Sequence, residues 1–299
     1  MKKGIFLILS LVSFTFVFAQ FDDTQIPPPL TAPWEVVEVN QFPGPMAYPV
    51  VKANDVMWQR YIWREIDLRE KRNQALYFPT EPQGVYKSLG QLIMDAIDMD
   101  NPDNEDALPV YTDENCNIRV NRSEIKNSLI NTKKVVRYDP ITGEAIGETD
   151  VPEPFTAAQI MYYRLKEVWF FDKNRGEIGV RILEIEPFFE YEKDTGTEID
   201  GEDIKVPLTK RRLGYIRYDE LRPFLAQQIY YTPKNTALKV TYDDVLTWKR
   251  YFASYIIAAS DSHNDRQIQD YLKNPRDQRL ESDKILNQIR NYESELWEY

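Results

Sequence analysis

The chain has 299 residues, with 37 lysines and arginines against 48 aspartates and glutamates, and its formal net charge is −11. An acidic balance of this size argues against nucleic-acid binding, because phosphate neutralisation needs clustered cations. The densest basic cluster is Lys210-Arg211-Arg212, and it is short. The chain contains one cysteine, Cys116, which excludes an internal disulfide.

The first 19 residues have the pattern of a secretory signal peptide. Lys2 and Lys3 precede an apolar run that is short for a membrane span, and Ala19 supplies the small residue before a cleavage site. We predict cleavage between Ala19 and Gln20. Because glutamine rather than cysteine would then stand first, the exported chain is expected to carry no lipid. It would hold 35 basic and 48 acidic residues, a net charge of −13.

Residues 20–54 are predicted to form a proline-rich extended arm. Seven of the nineteen prolines fall between residues 22 and 50. Proline fixes φ and removes a hydrogen-bond donor, so neither a helix nor a central strand fits this stretch. Two interpretations are open: a solvated linker, or a strap that lies on a partner with Trp34, Phe42 and Tyr48 as its anchors.

Residues 55–150 are predicted to form an N-terminal α+β module. The run 56–78 predicts a helix, because Trp58, Ile62 and Ile66 recur every four residues. A second helical stretch, with its apolar residues at helical spacing, is predicted over residues 85–96. An acidic loop, a short strand at 108–111 and a hairpin follow, the hairpin joining the extended stretches 133–138 and 144–148 through Asp139-Pro140-Ile141-Thr142-Gly143.

Residues 151–299 are predicted to form a C-terminal α+β module that ends in amphipathic helices. Residues 158–171 fit a helix or a strand, and residues 178–191 are predicted to be extended, with alternate apolar residues on one face. A strand over residues 211–218 is expected to end at Asp219, which can cap a short helix through Leu225.

Two amphipathic helices are predicted in the tail, residues 241–299. Thr241 and Asp244 stand at capping-box spacing before the first, whose apolar positions recur three or four residues apart: Val245, Trp248, Phe252, Tyr255, Ile256 and Ala259. Ser282 can cap the second, which carries Ile285, Ile289, Leu296 and Trp297. The predicted fold class is therefore α+β, with helices at both ends flanking a central, mainly antiparallel strand region.

No catalytic or metal-binding constellation stands out. His263 is the only histidine, which argues against a zinc site with two histidines and a Ser–His–Asp triad; we interpret it as solvated in a polar loop. Cys116 stands beside Glu114, which disfavours a reactive thiolate, so we interpret it as structural. No cofactor and no metal are predicted.

The acidic loop at 98–106 leaves calcium as an open alternative. Counted from Asp98, however, Pro102 and Pro109 take positions where an EF-hand loop needs ligands. Acid pairs such as Asp67 and Glu70 leave a periplasmic peptidoglycan hydrolase, or a carbohydrate- or peptide-binding module, as an alternative function.

Several stretches together resemble the GldN/PorN family, the gliding motility and type IX secretion component of Bacteroidetes. The resemblance runs from about Asp55 to the end and rests on the order of these stretches: Trp63–Asn73, Lys87-Ser88-Leu89, Arg217–Arg222, Phe252–Ile256, Asp265–Ile268, Asp270-Tyr271, Glu281-Ser282 and the closing Glu295–Tyr299.

This resemblance implies a non-enzymatic periplasmic subunit held at the outer membrane by a lipoprotein of the GldK/PorK type. It implies a ring of like subunits that faces the periplasmic part of the GldM/PorM motor. A ring requires two different surfaces of one molecule to meet. We expect the interface among or near these residues: Trp34, Phe42, Trp63, Arg64, Asp67, Arg69, Glu70, Asn73, Asp265, Arg266 and Trp297.

Overall fold

The computed structural model describes residues 44–101, 104–129, 131–138, 145–153, 155–191, 194–199, 202–205, 209–231, 240–260 and 266–297. The predictions for the signal peptide, for the arm up to residue 43 and for the loop around His263 lie outside these residues. In the part that is described, no helix combines the length and the apolar character that a membrane crossing requires.

The strands are β1 (Val56–Asp67), β2 (Asn131–Tyr138), β3 (Ala145–Glu153), β4 (Ile160–Asp172), β5 (Glu177–Tyr191), β6 (Asp194–Ile199), β7 (Glu202–Lys205), β8 (Thr209–Arg212), β9 (Ile216–Arg217) and β10 (Tyr255–Ala259). The helices are α1 (Gln74–Tyr77), α2 (Leu89–Ile97), α3 (Arg122–Leu129), α4 (Tyr218–Gln227), α5 (Ile268–Tyr271) and α6 (Pro275–Trp297). Two short 3₁₀ helices, Ala53–Asp55 and Ala157–Gln159, and a π-helix, Asp244–Lys249, complete the described elements.

One antiparallel sheet, in the order β10-β1-β4-β5-β8 with β9 also beside β5, organises the described chain. The predicted α+β class with antiparallel strands is confirmed. Helices at both ends are not, because β1 stands where the first helix was expected. This sheet takes strands from both sides of residue 150. Two further hairpins pair β2 with β3, as predicted, and β6 with β7.

The predicted helix over residues 56–78 is wrong, because residues 56–67 are strand β1. Trp58, Ile62 and Ile66 are four residues apart, and that spacing places them on one face of a strand as well as on one face of a helix. The bulky residues between them, such as Tyr61 and Trp63, favour the strand.

The first tail helix is correct only at its start. Thr241 and Asp244 form the predicted capping box: the Asp244 backbone N–H donates to the Thr241 hydroxyl at 3.2 Å, and the Thr241 N–H donates to the Asp244 carboxylate at 3.1 Å. The π-helix ends at Lys249, because Arg250 adopts a left-handed conformation with φ 50°. The predicted continuation is instead the strand β10.

The second tail helix begins seven residues before the predicted cap. Ser282 lies within α6, and its hydroxyl accepts a hydrogen bond from the Ile256 N–H in β10 at 2.8 Å. Ile285 and Ile289 are buried as predicted, and the side chains of Leu296 and Trp297 lie outside the described part.

The predictions of α2 and of an extended β5 are confirmed. The short helix predicted through Leu225 is found as α4, but its N-cap is Arg217, and Asp219, the predicted cap, lies in its first turn. The strand predicted over residues 211–218 is divided into β8 and β9.

One face of the sheet, here called the covered face, packs against the helices. One part of this face joins side chains of α1–α4 and the π-helix in the main apolar core, and it includes Ile66, Tyr163, Leu165, Ile182 and Ile185. The other part joins α5 and α6 in a smaller cluster that contains Ile62, Ile256, Ala259, Ile268, Ile285 and Ile289.

A buried ion cluster lies between these two apolar regions. The fully buried Glu167 accepts hydrogen bonds from Arg250 Nη2 at 2.6 Å and from Trp169 Nε1 at 2.8 Å. Arg64 lies 3.8 Å from the same carboxylate, and its guanidinium stands 5.9 Å from the Phe252 ring centroid. Burial lowers the pKa of Arg64, although the Glu167 charge opposes that shift.

Residues 44–50, here called the strap, cross from α4 to β5. Arg222 Nη2 donates to the Met46 carbonyl at 2.6 Å, and Arg181 Nη2 donates to the Pro49 carbonyl at 2.8 Å. The Tyr48 ring lies 4.1 Å from the Arg222 guanidinium and 5.1 Å from that of Arg181. Tyr48, an anchor in one of the two open interpretations of the arm, therefore packs on its own chain.

Candidate functional site

The second face of the sheet, here called the charged face, is built from charged and aromatic side chains at alternate strand positions. Because side chains of paired residues point to the same side of a sheet, the register aligns Glu65, Arg164 and Glu186 across β1, β4 and β5. The other members are Trp63, Asp67, Tyr162, Lys166, Glu184, Phe188, Glu190, Lys210, Arg212 and Tyr255.

Glu65 is the centre of this face. Its buried carboxylate accepts hydrogen bonds from Lys210 Nζ at 2.9 Å, from Arg164 Nη2 at 3.5 Å and from the Tyr255 hydroxyl. Burial and then the Glu65 charge raise the pKa of Tyr255, so this phenol stays protonated and remains a donor. Four strands are joined through one carboxylate: β1, β4, β8 and β10.

Two glutamates of β5 on the charged face have fewer hydrogen-bond partners than Glu65. Lys166 Nζ lies 3.2 Å from Glu184 and 2.9 Å from Glu114, and Arg212 lies 3.5 Å from Glu186. The buried Oε2 atoms of Glu184 and Glu186 have no hydrogen-bond partner within the described residues. Burial raises the pKa of Glu184, and it raises the pKa of Glu186 to about 7.

Arg69, which lies just beyond the end of β1, borders the charged face. It forms a two-point ion pair with Asp67, at 3.1 Å from Nε and 3.0 Å from Nη2. It also donates to the Tyr162 hydroxyl, whose ring centroid lies 4.8 Å from the guanidinium. The Tyr162 hydroxyl in turn donates to Glu190 at 2.6 Å. Burial raises the pKa of Tyr162, which keeps that donor protonated.

The solvent-facing layer of the charged face is basic. The side chains of Arg69, Lys210 and Arg212 are 58%, 42% and 38% exposed, whereas those of Glu65 and Glu186 are 5% and 4% exposed. The acids of the strands are thus less exposed than these bases, whereas the side chain of Glu114 in the adjacent loop is 42% exposed. A molecule that approaches this face meets ammonium and guanidinium groups, although the protein as a whole is acidic.

The structure brings three of the expected interface residues, Trp63, Asp67 and Arg69, to the charged face. Trp63 Nε1 donates to Glu114 at 3.0 Å, which connects the face to the loop at residues 112–118. Arg64 points to the opposite face, toward Glu167. Their part in an interface stays a prediction.

The remaining expected residues are dispersed. Glu70 accepts from Arg279 of α6 at 2.8 Å. Asn73 is fully buried and exchanges two hydrogen bonds with the Ala253 backbone, at 2.7 and 2.8 Å. Arg266 is exposed before α5. Trp34, Phe42, Asp265 and the Trp297 side chain lie outside the described part, as do Ala19 and Gln20.

The bases and acids that complete the charged face were missed from the sequence. The signal was alternation: Arg164 and Lys166 in one strand, and Glu184, Glu186 and Glu190 in the next. A strand face with alternating charges is normally predicted to face solvent. The cross-strand register that buries the acids is known only from the folded sheet.

Three of the acids considered for catalysis or calcium, Asp67, Glu70 and Asp100, form ion pairs. Asp67 binds Arg69, and Asp100 lies 2.6 Å from Lys126. Among the described residues, no group of three or more histidine, cysteine or acidic side chains is placed to hold a metal ion. Burial raises the pKa of Cys116 to about 12, with Glu184 adding to the shift, which opposes thiolate formation.

A comparison with protein families matches residues 51–298 to the model described as "Gliding motility associated protein GldN". The matched range contains the whole sheet and the charged face. A search of curated proteins returned no match.

Proposed function

Because the chain belongs to the GldN family, we propose that it is a non-enzymatic assembly subunit of the type IX protein secretion and gliding motility machinery. The observation that carries the proposal is the family match, which extends from the strap's end to the last helix. The acid pair considered for hydrolysis, Asp67 and Glu70, is engaged in ion pairs with Arg69 and Arg279, which supports a role in binding rather than catalysis by that pair.

The proposed location is the periplasm, against the outer membrane. We propose that the subunit binds an outer-membrane lipoprotein of the GldK/PorK type, joins like subunits in a ring and faces the periplasmic part of the GldM/PorM motor. Such a ring would need a surface that is not already consumed by the protein's own helices. The charged face is such a surface, since the described helices pack on the covered face.

The test is co-purification from the native envelope, with the full chain tagged at its C-terminus and bound proteins identified by mass spectrometry. Recovery of the lipoprotein in constant stoichiometry supports the proposal. Recovery of the chain alone, after solubilisation conditions that keep other envelope complexes intact, overturns it. A control digestion of purified peptidoglycan should release no product; release would favour the hydrolase instead.

Point variants suit this test better than truncation. Removal of residues 241–299 would delete β10 and the π-helix, whose Val245, Leu246 and Ile256 lie in the two apolar clusters. Such a chain would lose binding through unfolding. Substitution of exposed side chains on the charged face keeps the core intact and addresses the surface itself.

A further inference from the structure

Strand β8 forms one edge of the main sheet in the described part of the chain. It pairs with β5 on one side, from Phe188 opposite Arg212 to Tyr191 opposite Thr209. The Leu213 N–H donates to the Pro187 carbonyl of β5. Since backbone groups alternate in direction along an antiparallel strand, those of Lys210 and Arg212 point away from β5, toward the edge.

This edge strand is also the densest basic cluster of the sequence. Lys210, Arg211 and Arg212 are all exposed. Lys210 and Arg212 project on the charged face, opposite Glu190 and Phe188, while Arg211 lies opposite Phe189 and projects on the other side. Three consecutive bases therefore surround two outward-pointing backbone positions, in a chain whose net charge is −11.

Charged residues on an edge strand commonly serve to prevent unwanted strand pairing. The heads of Lys210 and Arg212 are, however, held in place. The Lys210 ammonium lies 3.5 Å from the Tyr162 ring centroid and donates to Glu65 at 2.9 Å. The Arg212 guanidinium lies 4.3 Å from the Tyr215 ring centroid. A protective charge needs no fixed position, whereas preorganised donors reduce the entropy lost on binding.

We propose that β8 binds an extended acidic segment of a partner protein by strand addition. The backbone of the segment pairs with the outward groups of Lys210 and Arg212, and carboxylates at alternate positions of the segment meet the two cationic heads. An acidic side chain between them meets Arg211. The inference rests on the proposed function, because it takes the occupant to be a component of the assembly.

The probe is a synthetic peptide of the sequence Thr-Glu-Glu-Glu-Val-Thr-amide with fluorescein on its N-terminus, and its binding to the purified exported chain is followed by fluorescence anisotropy. We expect binding that weakens as salt rises, because exposed charges contribute. The same peptide with lysine in place of glutamate should not bind. Absence of binding by the acidic peptide at low salt overturns the proposal.

Two N-methylated forms of the peptide separate strand addition from simple charge attraction. Methyl groups on one alternate set of amides block the edge that pairs with β8, whereas methyl groups on the other set face away from it. One form should lose binding at least tenfold and the other should retain it. Equal affinity of both forms with the unmethylated peptide overturns strand addition.

The protein variant K210Q/R212Q should weaken binding at least tenfold, and the matched variant K273Q/R276Q, which changes two exposed bases elsewhere, should not. Circular dichroism checks that both are folded. Should K210Q/R212Q fail to fold, the comparison of methylated peptides on the unaltered protein still decides. These measurements need no lipoprotein, so their failure leaves the proposed function standing, and failure of the co-purification leaves the strand-addition result standing.

Discussion

The two faces of the sheet bury charge in different ways, although they are formed by neighbouring residues of the same strands. On the covered face, one carboxylate, Glu167, meets two guanidinium groups, Arg64 and Arg250, between two apolar clusters. Both of its oxygens accept hydrogen bonds, and the atoms of this ion cluster that have no hydrogen-bond partner among the described residues are the donors Arg64 Nε and Arg250 Nη1. On the charged face, the unpaired atoms include carboxylate oxygens of Glu184 and Glu186.

The difference follows from the number of bases within reach of each acid. A buried carboxylate is tolerated when charged hydrogen-bond donors surround it, and removal of one partner leaves an uncompensated charge. The covered face meets this condition for Glu167 by placing two cations around it. The charged face shares its cations among more acids, so burial raises the pKa of Glu186 to about 7. On the covered face, the carboxylate oxygens of Glu167 are fully paired and serve the structure. On the charged face, unpaired carboxylate oxygens can still bind protons or partners.

The largest effect is expected for Glu167→Gln on the covered face. The substitution leaves Arg64 and Arg250 close together without a negative charge, and we expect the free energy of unfolding to fall by about 3–5 kcal/mol. Urea denaturation at neutral pH measures it. Glu177→Gln, which changes a largely exposed acid of β5, should alter stability by less than about 0.5 kcal/mol. A loss as small as that of the control would show that the ion cluster is not needed for the fold.

Glu186→Gln should act in the opposite direction and depend on pH. The ordinary pKa of 4.5 rises to about 7 in the folded protein, so the folded state binds the proton more tightly, and stability falls as pH rises between these values. The groups that face Glu186 are Arg164 of β4, Arg212 of β8 and the acids Glu114 and Glu184.

Above about pH 8, we therefore expect Glu186→Gln to be more stable than the unaltered protein by up to about 3 kcal/mol, and near pH 4 to be equal to it. Thermal or urea unfolding across this range measures the difference. A constant difference between the two proteins at every pH would show that Glu186 does not titrate in this window.

A smaller effect is expected at the contact between β10 and α6. Ser282→Ala removes the hydroxyl that accepts from the Ile256 N–H, and it leaves that buried backbone donor in β10 without its partner. We expect a loss of about 1–2 kcal/mol in the free energy of unfolding. Hydrogen exchange at Ile256 supplies a local measurement, and unchanged protection there would contradict the assigned role.

The smallest effect is expected for Arg69→Ala at the exposed end of the charged face. Its ion pair with Asp67 is solvated on the arginine side, and exposed pairs contribute at most about 1 kcal/mol. Urea denaturation should therefore barely detect it. A loss as large as that of Glu167→Gln would mean that the charged face is as closed as the covered one, and the contrast between the faces would disappear.

The sequence predicts the elements whose periodicity is unambiguous. The alternating β5, the helix α2 and the β2–β3 hairpin are found where the residues place them. It fails at β1 and β10, because Trp58, Ile62 and Ile66, like Phe252 and Ile256, are four residues apart, a spacing that serves both a helix and a strand. Only the long-range pairing of β1 with β4 and β10 shows that these segments are strands rather than helices.

The candidate site was predictable only in part for the same reason. Trp63, Asp67 and Arg69 were singled out within one segment, whereas Arg164, Glu186, Lys210 and Arg212 come from three distant strands. Pairs such as Glu65 with Lys210 are 145 positions apart in the chain. No local pattern specifies such a pair, because it depends on the sheet order and on the register of strands that are paired through β4 and β5.

The strap attaches the chain to α4 and β5 before β1 begins. Tension applied to the chain before residue 44 reaches α4 and β5 first, through the bonds from Arg222 to the Met46 carbonyl and from Arg181 to the Pro49 carbonyl. These two side chains sit on separate elements, so the load divides between them before it arrives at β1. A subunit tethered through its leading segment could thus be pulled without the sheet being unzipped from its first strand.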